Sequence, residues 1–547
     1  MSPLTPSGYA DTFARDHLPP RAQWPVLEFT TPQLAYPPRL NAATELIDVP
    51  AARTPDRPAL RTPDGTVWTY GELLARANQI AHVLVDDLGL VSGNRVLLRS
   101  PNNPWTVAAW LGVLKAGGIV VTTMAALRAA ELTPIVERTR PAVALVDHRV
   151  ATDVYAVRDT AAPALTVVTY GSDAPDDLDD LVHRCAGKPT TFTAVDTAAD
   201  DVALFAPTSG TTGVPKITTH FHRDVLSIDN TFGRAVLGLG PDDLVACSAP
   251  LAFTFGLGML VVFPLRAGAC ALLTEAAAPT ELADLVADHG VTVLATAPTA
   301  YKKILRSERA DRLAGLRVAV TAGEHMPRTT REELRAATGL DVVDGIGGTE
   351  MLHIFISAAG ADIRPDTVGR PVPGFRAAIL DLDGNELGPG VEGRLAVIGP
   401  VGCRYLDDRR QADYVVDGWN VTGDTFVRDE DGYFSYRART DNMIVSSGYN
   451  IGGPEVEIAL ESHPDVVETA VVGRPDHDRG AVVCAFVVLR DGVAGDAAKA
   501  VELQDHVKSL LAPFKYPRDV RFVASLPRNA SGKLQHFKLR ELLGSES

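Results

Sequence analysis

The stretch from Thr208 to Lys216 brings together groups that can hold a phosphate. It reads Thr-Ser-Gly-Thr-Thr-Gly-Val-Pro-Lys, so hydroxyl groups and one ammonium group stand beside two glycines. Glycine allows consecutive backbone N–H groups to face one anion, and a lysine adds a point charge. The apolar run 202–206 before it predicts a buried strand, so the loop leaves a strand end. The loop is therefore a candidate phosphate site, although a flexible surface loop has a similar composition.

A second glycine-rich turn, at 344–350, offers related chemistry. Its three glycines allow close approach to a flat ligand, Thr349 can donate to a phosphate, and Glu350 can bind Mg²⁺, which prefers oxygen ligands. A helix start with Thr349 as its N-cap would explain the same residues. Further on, Asp424 in the run Trp-Asn-Val-Thr-Gly-Asp can accept hydrogen bonds from two ribose hydroxyls, but an aspartate in a turn is common.

Taken in order, these stretches resemble the motifs of the adenylate-forming superfamily, which comprises acyl-CoA synthetases, luciferases and peptide-synthetase adenylation domains. The run 437–442 is similar to the hinge motif, with Ala438 in place of the usual glycine. The runs 446–451 and 527–533 follow as they do in that family. The runs 253–258, 322–324 and 344–355 look like the benzoate-CoA ligase branch, and the opening 9–20 looks more like its 2-aminobenzoate-CoA ligases.

The resemblance implies a ligase that works in two steps. A carboxylate attacks the α-phosphorus of MgATP to give an acyl-adenylate and pyrophosphate, and the thiol of coenzyme A then displaces AMP. The implied catalytic residues are Lys533, Thr349, Glu350 and Arg439, with Glu350 holding Mg²⁺. The implied nucleotide-binding residues are Thr208, Ser209, Gly210, Thr211, Thr212, Gly213, Lys216, Ala322, Gly323, Glu324, Asp344, Gly345, Ile346, Gly347, Asp424 and Arg439.

The same resemblance implies which residues bind the acid and which take part in the domain rotation. A flat pocket for an aromatic acid is expected from Phe253, Thr254, Phe255, Gly256, Gly347, Gly348 and His353. A histidine packed under the turn in a helix is the alternative for His353. Asp441 would be the hinge, and Gly448 with Tyr449 would reach the site in the thiol step. Arg474 and Lys515 are candidates for contacts with coenzyme A.

Several functions remain open at this point. The leading interpretation is an aryl-CoA ligase for benzoate or 2-aminobenzoate, with salicylate as another candidate acid. A stand-alone adenylation enzyme that loads a carrier-protein thiol would use the same first step. A non-catalytic nucleotide-binding protein is disfavoured because Lys533, Glu350 and Asp424 are all present. A luciferase-like oxygenase shares only the fold.

The elements that position these residues alternate between short apolar runs and helical patterns. This alternation predicts an α/β fold whose large N-terminal domain, residues 1–438, has doubly wound and mainly parallel sheets. Turn signals after residue 376 predict a small β-rich subdomain at about 376–438. A hinge at 439–442 and a small α+β domain at 443–547 follow, and the resemblance implies that this last domain is mobile. Residues 172–200 are polar and are predicted to form a surface excursion.

Composition limits the partners. The chain has 547 residues and a formal net charge of −16, which argues against general nucleic-acid binding. Its five cysteines are scattered, which fits reduced thiols and a cytoplasmic location. The uncharged run 244–265 contains prolines and glycines and is interpreted as two buried segments around a turn, with no membrane helix. The expected partners are an aromatic acid, ATP and coenzyme A, and a homodimer is compatible with the sequence.

Overall fold

The computed structural model describes residues 4–171, 180–208, 214–323, 326, 328–439, 443–527 and 536–544. Two large sheets form the first part of the chain. A nine-stranded sheet is parallel through its six central strands, and its spatial order is Arg370–Pro371, Ile354–Ser357, Val343–Gly347, Val318–Ala322, Val293–Ala295, Leu244–Cys247, Cys270–Leu272, Pro58–Arg61 and Val67–Thr69. The antiparallel strands stand only at its two edges.

The second large sheet has six strands and carries the candidate phosphate loop at one edge. Its order is Thr166–Tyr170, Val143–Asp147, Arg95–Arg99, Ile119–Thr123, Val202–Thr208 and Lys216–Phe221. All neighbours are parallel except the last pair, Val202–Thr208 with Lys216–Phe221, which flank the predicted loop as an antiparallel ladder. The strands are almost entirely buried, as expected where helices cover both faces of a parallel sheet.

Two smaller sheets follow. An antiparallel sheet contains Arg376–Leu380, Glu392–Ile398, Val415–Val416, Trp419–Arg428 and Phe434–Arg439. The last sheet contains Met443–Ser446, Tyr449–Gly452, Val466–Asp476, Gly480–Leu489 and Asp519–Phe522, and it packs against Gly453–Glu461, Ala497–Leu510 and His536–Gly544. The α/β fold class with a smaller C-terminal domain is thereby confirmed.

Helices connect the strands of the large sheets. Their ends follow ordinary capping: Thr69 and Glu72 form a reciprocal capping box at the start of one helix, and Asn103 caps another. The α-helices are Phe13–Asp16, Val49–Arg53, Tyr70–His82, Pro104–Lys115, Ala129–Thr139, Thr152–Thr160, Leu181–Cys185, His222–Ile228, Thr254–Leu257, Phe263–Ala267, Pro279–His289, Pro298–Leu305, Arg328–Thr338 and Gln411–Tyr414, besides the three named above. Wider π-helical turns occupy Thr44–Asp48, Val83–Asp87, Asp229–Leu237 and Gly258–Val262. Short 3₁₀ turns occupy Arg21–Gln23, Pro32–Leu34, His148–Val150, Ala310–Leu313, Thr349–Met351, Gly360–Asp362 and Pro513–Lys515.

Two expectations about local packing can be compared with the structure. Most of residues 182–196 is exposed or half-buried, as expected for a surface excursion, whereas Leu181, Cys185 and Thr197 are buried and the backbone at 197 and 199 pairs with the N-terminal arm. The uncharged run 244–265 forms a strand, a loop and short helical turns, as expected. Among the described residues, no helix combines the length and the apolar character needed to cross a bilayer.

Candidate active site

The candidate site lies where strands of the two large sheets end. Ser248 follows one strand of the nine-stranded sheet, Gly323 follows another, and Gly348 follows a third. Thr208 ends a strand of the six-stranded sheet. In sheets of this kind the carboxyl ends of parallel strands form the crevice where ligands bind. The sequence predictions at 208, 322–323 and 347–349 therefore converge on one edge.

A cavity of about 210 Å³ opens at this edge. Its walls include most of the predicted acid-binding residues, together with Ala322 and Gly323 from the predicted nucleotide set. The lining residues that were predicted are Phe253, Thr254, Phe255, Gly347, Gly348 and His353. Gly256 does not line it: a Cβ there would stand 2.1 Å from the carbonyl oxygen of Pro250, so this glycine is required by backbone packing.

His353 forms one wall of the cavity inside a group of aromatic rings. Its ring stacks on Phe255 with centroids 5.5 Å apart and meets the edge of Phe263 at 4.7 Å. Only 3% of the residue is exposed, and neither ring nitrogen makes a hydrogen bond of normal geometry within the described part of the chain. Burial lowers the pKa of His353 to about 3, and a backbone contact with Phe255 opposes this shift only weakly. The imidazole is therefore neutral near pH 7.

His353 is not the helix histidine that was considered as the alternative. It lies outside a helix, between Leu352, which has a left-handed φ of 65°, and the strand that begins at Ile354. A glycine is required at position 347, because a Cβ on that residue would stand 2.6 Å from the carbonyl oxygen of His353. The glycine thus allows the strand and the returning chain to approach closely. A buried polar ring without a protein partner is costly unless a ligand supplies one.

Two side chains contact the carboxylate of Glu350, and neither contact could be predicted from the sequence. Tyr405 donates a hydrogen bond from its hydroxyl to Glu350 Oε1 at 2.5 Å, and Lys216 Nζ lies 3.6 Å from the same oxygen. His220 contacts the backbone oxygen of Thr349 at 2.8 Å through Nε2, which donates the hydrogen bond. Thr349 begins a 3₁₀ turn after Gly348, so it is not the N-cap of a helix. The Thr349–Glu350 turn is therefore fixed from both sides.

The carboxylate of Glu350 suits Mg²⁺ brought in with a nucleotide. It is mostly buried, and Tyr405 and Lys216 both approach Oε1. Mg²⁺ usually binds through one or two carboxylates together with substrate phosphates and waters, so a single fixed carboxylate fits this chemistry. Lys216 also lies 4.9 Å from the centre of the Tyr405 ring, which keeps the ammonium group beside the turn.

Other predicted nucleotide residues lie around this turn with different environments. Asp344 is buried and pairs with Arg331 at 3.2 Å; burial raises the pKa of Asp344 to about 6 while Arg331 opposes the rise. Gly345 packs against Ile354, where a Cβ would be 2.6 Å from a side-chain carbon, and Ile346 packs with the aromatic cluster beneath the turn. Asp424 lies within a strand, opposite Arg439 in the register.

Some predicted residues lie outside the described residues: Ser209, Gly210, Thr211, Thr212, Gly213, Glu324, Asp441 and Lys533. Arg439 is described only as the end of a strand. The roles predicted for these residues therefore remain predictions.

A second cavity of about 440 Å³ runs between the large domain and the C-terminal domain. It meets the first cavity at Phe253, Thr349 and Tyr449, which line both. Tyr449 stacks on Phe514 at 4.1 Å and faces Phe253 at 6.2 Å. The structure therefore brings Gly448 and Tyr449 to the site, and the second cavity leads to it from between the domains.

The two basic residues considered for coenzyme A are already paired. Lys515 bridges Glu131 and Glu455 at 2.6 and 2.8 Å and is nearly buried, while Arg474 lies 3.0 Å from Asp519. Lys515 is thus a contact between domains and not an open cation for a phosphate.

A strand-end crevice with a fixed Thr-Glu turn, next to a channel made by a smaller C-terminal domain, defines an adenylate-forming enzyme. The chain belongs to the AMP-binding enzyme family: residues 47–404 match the family model, and residues 455–533 match the model of the AMP-binding enzyme C-terminal domain. The resemblance inferred from the motifs is confirmed. ATP and coenzyme A are the co-substrates of the acid–CoA ligases in this family.

Similar proteins support this membership over almost the whole chain. The benzoate–CoA ligase of Thauera aromatica is 34% identical over 517 residues, covering 93% of this chain and 98% of its own. The crystal structure of the anthranilate CoA ligase AuaEII in complex with anthranoyl-AMP is 30% identical with a TM-score of 0.73, covering 94% of this chain and 99% of its own. A benzoate CoA ligase from Burkholderia xenovorans LB400 is also 30% identical, with a TM-score of 0.69, covering 92% of this chain and 100% of its own.

Proposed function

We propose that this protein is an ATP-dependent aryl-CoA ligase that activates a benzoate-type acid, with 2-aminobenzoate and benzoate as the preferred candidates. The observation that carries the proposal is the cavity of about 210 Å³ with aromatic walls and a buried His353 whose ring nitrogens make no hydrogen bond of normal geometry among the described residues. The relatives named above, a benzoate–CoA ligase and an anthranilate CoA ligase, support the same substrate class.

The cavity walls favour a flat ring. Phe253 and Phe255 offer aromatic surfaces, and Gly323, Gly347 and Gly348 also line the cavity without adding side chains. Planar rings gain from stacked and edge contacts with such walls, and glycines leave room for a flat ring to lie close to the backbone. A long alkyl chain would leave these faces poorly filled. We therefore expect fatty acids to be weak substrates.

His353 supplies the polar feature of the slot. A neutral imidazole has one N–H donor and one acceptor nitrogen, so it can accept from an amino group or pair with a hydroxyl on the ring. Thr254 is the other candidate partner, since it also lines the cavity. Ser248 and Thr296 are less suited because their hydroxyls bond to each other at 2.6 Å.

The first half-reaction joins two anions, so it needs organised positive charge. MgATP would lie against the Thr349–Glu350 turn, with Glu350 holding Mg²⁺, which neutralises phosphate charge. Lys216 and the loop at 208–216 would hold the departing pyrophosphate, and Lys533 would bridge the carboxylate and the α-phosphate. Most of the rate enhancement would come from this positioning and preorganised charge. Tyr405 and His220 keep the turn in place for it.

The second half-reaction requires a thiol to reach the acyl-adenylate. The cavity of about 440 Å³ between the domains meets the acid slot at Phe253, Thr349 and Tyr449, so it offers a path for a long, thin acceptor. Coenzyme A carries its thiol on such an arm, and so does a carrier protein. Because both acceptors carry the same arm, the choice between coenzyme A and a carrier protein depends on the surface outside the channel.

The test is AMP release by the full chain with ATP and coenzyme A across benzoate, 2-aminobenzoate, salicylate, 3-hydroxybenzoate and octanoate. Benzoates should be preferred, and preference for octanoate would contradict the aromatic slot. A parallel assay replaces coenzyme A with a carrier protein bearing the phosphopantetheine arm. A higher thioester yield on the carrier protein would favour the stand-alone adenylation enzyme.

A further inference from the structure

Glu131 joins the large domain to the C-terminal domain at the wall of the interdomain channel. Its Oε1 accepts from Lys515 Nζ at 2.6 Å, and its Oε2 accepts from the backbone N–H of Ala512 at 2.7 Å. Both partners belong to the C-terminal domain, whereas Glu131 is the third residue of the helix Ala129–Thr139 in the large domain. All the groups involved are nearly buried.

The Glu131 carboxylate is fixed before the domains meet. Its Oε2 also accepts from the backbone N–H of Arg128 at 3.1 Å, as a glutamate does at the third position of a helix. A side chain held in this way loses little conformational freedom when a partner arrives. It also lies in the first turn of its helix, where a negative charge is favoured.

Lys515 has a second carboxylate partner that moves with it. Glu455 lies 2.8 Å from Lys515 Nζ and belongs to the same domain, so this pair persists in any orientation of that domain. Burial lowers the pKa of Lys515, but the two carboxylates outweigh burial and the pKa is raised above its ordinary value. Of the two carboxylate contacts of Lys515, the one to Glu131 is made or lost when the domains dock or separate, together with other contacts across the boundary such as that of Lys302 Nζ with the backbone oxygen of His477.

The same segment reaches the reaction centre. Phe514, next to Lys515, stacks on Tyr449, and Tyr449 faces Phe253 at the junction of the two cavities. Glu131, Glu455 and Lys515 themselves line the channel. Docking at Glu131 and assembly of the channel are therefore a single event.

We propose that Glu131 is a positioning residue for the thioester step: it receives Lys515 and the Ala512 N–H, and so stabilises the domain arrangement that opens the channel to the acyl-adenylate. This inference rests on the proposed two-step ligase function. It assigns Glu131 no part in adenylate formation, for which the C-terminal domain must present Lys533 instead.

The decisive variant is Glu131→Gln in the full chain. Glutamine keeps an oxygen for the Arg128 N–H and leaves Lys515 paired with Glu455, but it removes the charge that attracts the C-terminal domain. Glu72→Gln is the matched control, because Glu72 occupies the same capping position in the helix Tyr70–His82. With an acid that the wild type activates, thioester formation from preformed acyl-adenylate should slow by roughly 10- to 100-fold in Glu131→Gln, and pyrophosphate release without thiol should be unchanged within about twofold.

The choice of thiol separates docking from binding of coenzyme A. A docking defect should slow transfer to coenzyme A and to N-acetylcysteamine alike. Loss with coenzyme A alone, seen as a higher KM, would overturn the proposal in favour of a direct contact with that substrate. Equal losses in both half-reactions, or no loss in either, would overturn it as well.

Hydrogen exchange at the Ala512 amide gives a readout that does not depend on catalysis. Exchange should be about tenfold faster in Glu131→Gln than in the wild type or Glu72→Gln, because the amide loses a charged acceptor. Unchanged protection would contradict docking at Glu131. A wild-type chain that protects Ala512 but forms no thioester with any thiol would count against the proposed function and leave the docking contact supported.

Discussion

The two cavities of the site are built in different ways. The acid slot is enclosed largely by one domain, with His353, Phe255 and Phe263 packed in its interior. The channel exists only between domains, and charged contacts such as Glu131 with Lys515 hold its sides together. Apolar packing fixes a rigid shape, whereas a few polar contacts across a boundary can be made and broken. The difference suggests that the slot selects the acid and the channel controls when a thiol arrives.

The strongest way to test this division is to remove Lys533. Lys533→Ala should lower the rate of adenylate formation by about 100- to 1000-fold, because a positive charge at the developing transition state is lost. Thioester formation from supplied acyl-AMP should be nearly unaffected, as measured by rapid quench. Lys538→Ala, at an exposed position nearby, is the control. Equal losses in both half-reactions would contradict the use of two domain arrangements.

A second test acts on the slot alone. His353→Leu should lower kcat/KM for 2-aminobenzoate by roughly 10- to 100-fold relative to benzoate, because the ring substituent would lose its hydrogen-bond partner. Adenylate formation measured by pyrophosphate release gives both values, and benzoate serves as the internal control for folding. If kcat/KM fell equally for both acids, His353 would shape the slot but would make no specific contact with the ring substituent.

A third test acts on the turn where the cavities meet. Tyr405→Phe removes the hydrogen bond to Glu350 and should raise the KM for MgATP by about three- to tenfold with a smaller change in kcat. The effect should shrink as the Mg²⁺ concentration rises. Tyr433→Phe removes a hydroxyl from a buried tyrosine elsewhere in the protein and should leave the KM for MgATP unchanged.

The smallest expected effect concerns pH. The folded-state pKa of His353 is about 3, below its ordinary value of 6.5, so the unfolded chain binds a proton there that the folded chain excludes. Stability contributed by this site is therefore lost as the pH falls below 6.5 towards the folded pKa. From pH 6.5 to 5, the free energy of unfolding should fall less steeply in His353→Leu than in the wild type, by about 1 kcal/mol per pH unit. Denaturant unfolding of both proteins at several pH values would measure this difference in slope.

His183→Leu, at an exposed position, is the control for this slope and should match the wild type. Acid preference should also stay constant between about pH 6 and 9, since His353 remains neutral there. A change in preference within that interval would show that another group reads the substituent.

Sequence reasoning located the strands that carry the site because their signals are local. The apolar run 202–206, for example, corresponds to the buried strand Val202–Thr208. The polar composition of residues 180–200 indicated a mostly exposed segment, but it gave no sign that Leu181 and Cys185 pack inward. Gly256 was placed in the slot by its neighbours in the motif, while its environment depends on Pro250.

The residues that were missed have partners far away in the chain. His220 meets Thr349 across 129 positions, and Tyr405 meets Glu350 across 55. Glu131 meets Lys515 across 384 positions. Neither residue type nor periodicity can indicate such a partner, because every one of these side chains is common on ordinary surfaces.

By itself, the sequence determined the α/β class, the order of the motifs and the chemical groups available at strand ends, because glycines, hydroxyls and charges act over a few neighbouring residues. Only the tertiary structure decided that the ring nitrogens of His353, inside an aromatic wall, make no hydrogen bond of normal geometry with the part of the chain that the structure describes. It also decided that Lys515 pairs with two carboxylates and that two cavities join at Phe253, Thr349 and Tyr449. Burial and pairing depend on which distant segments pack together, and packing is a property of the whole chain.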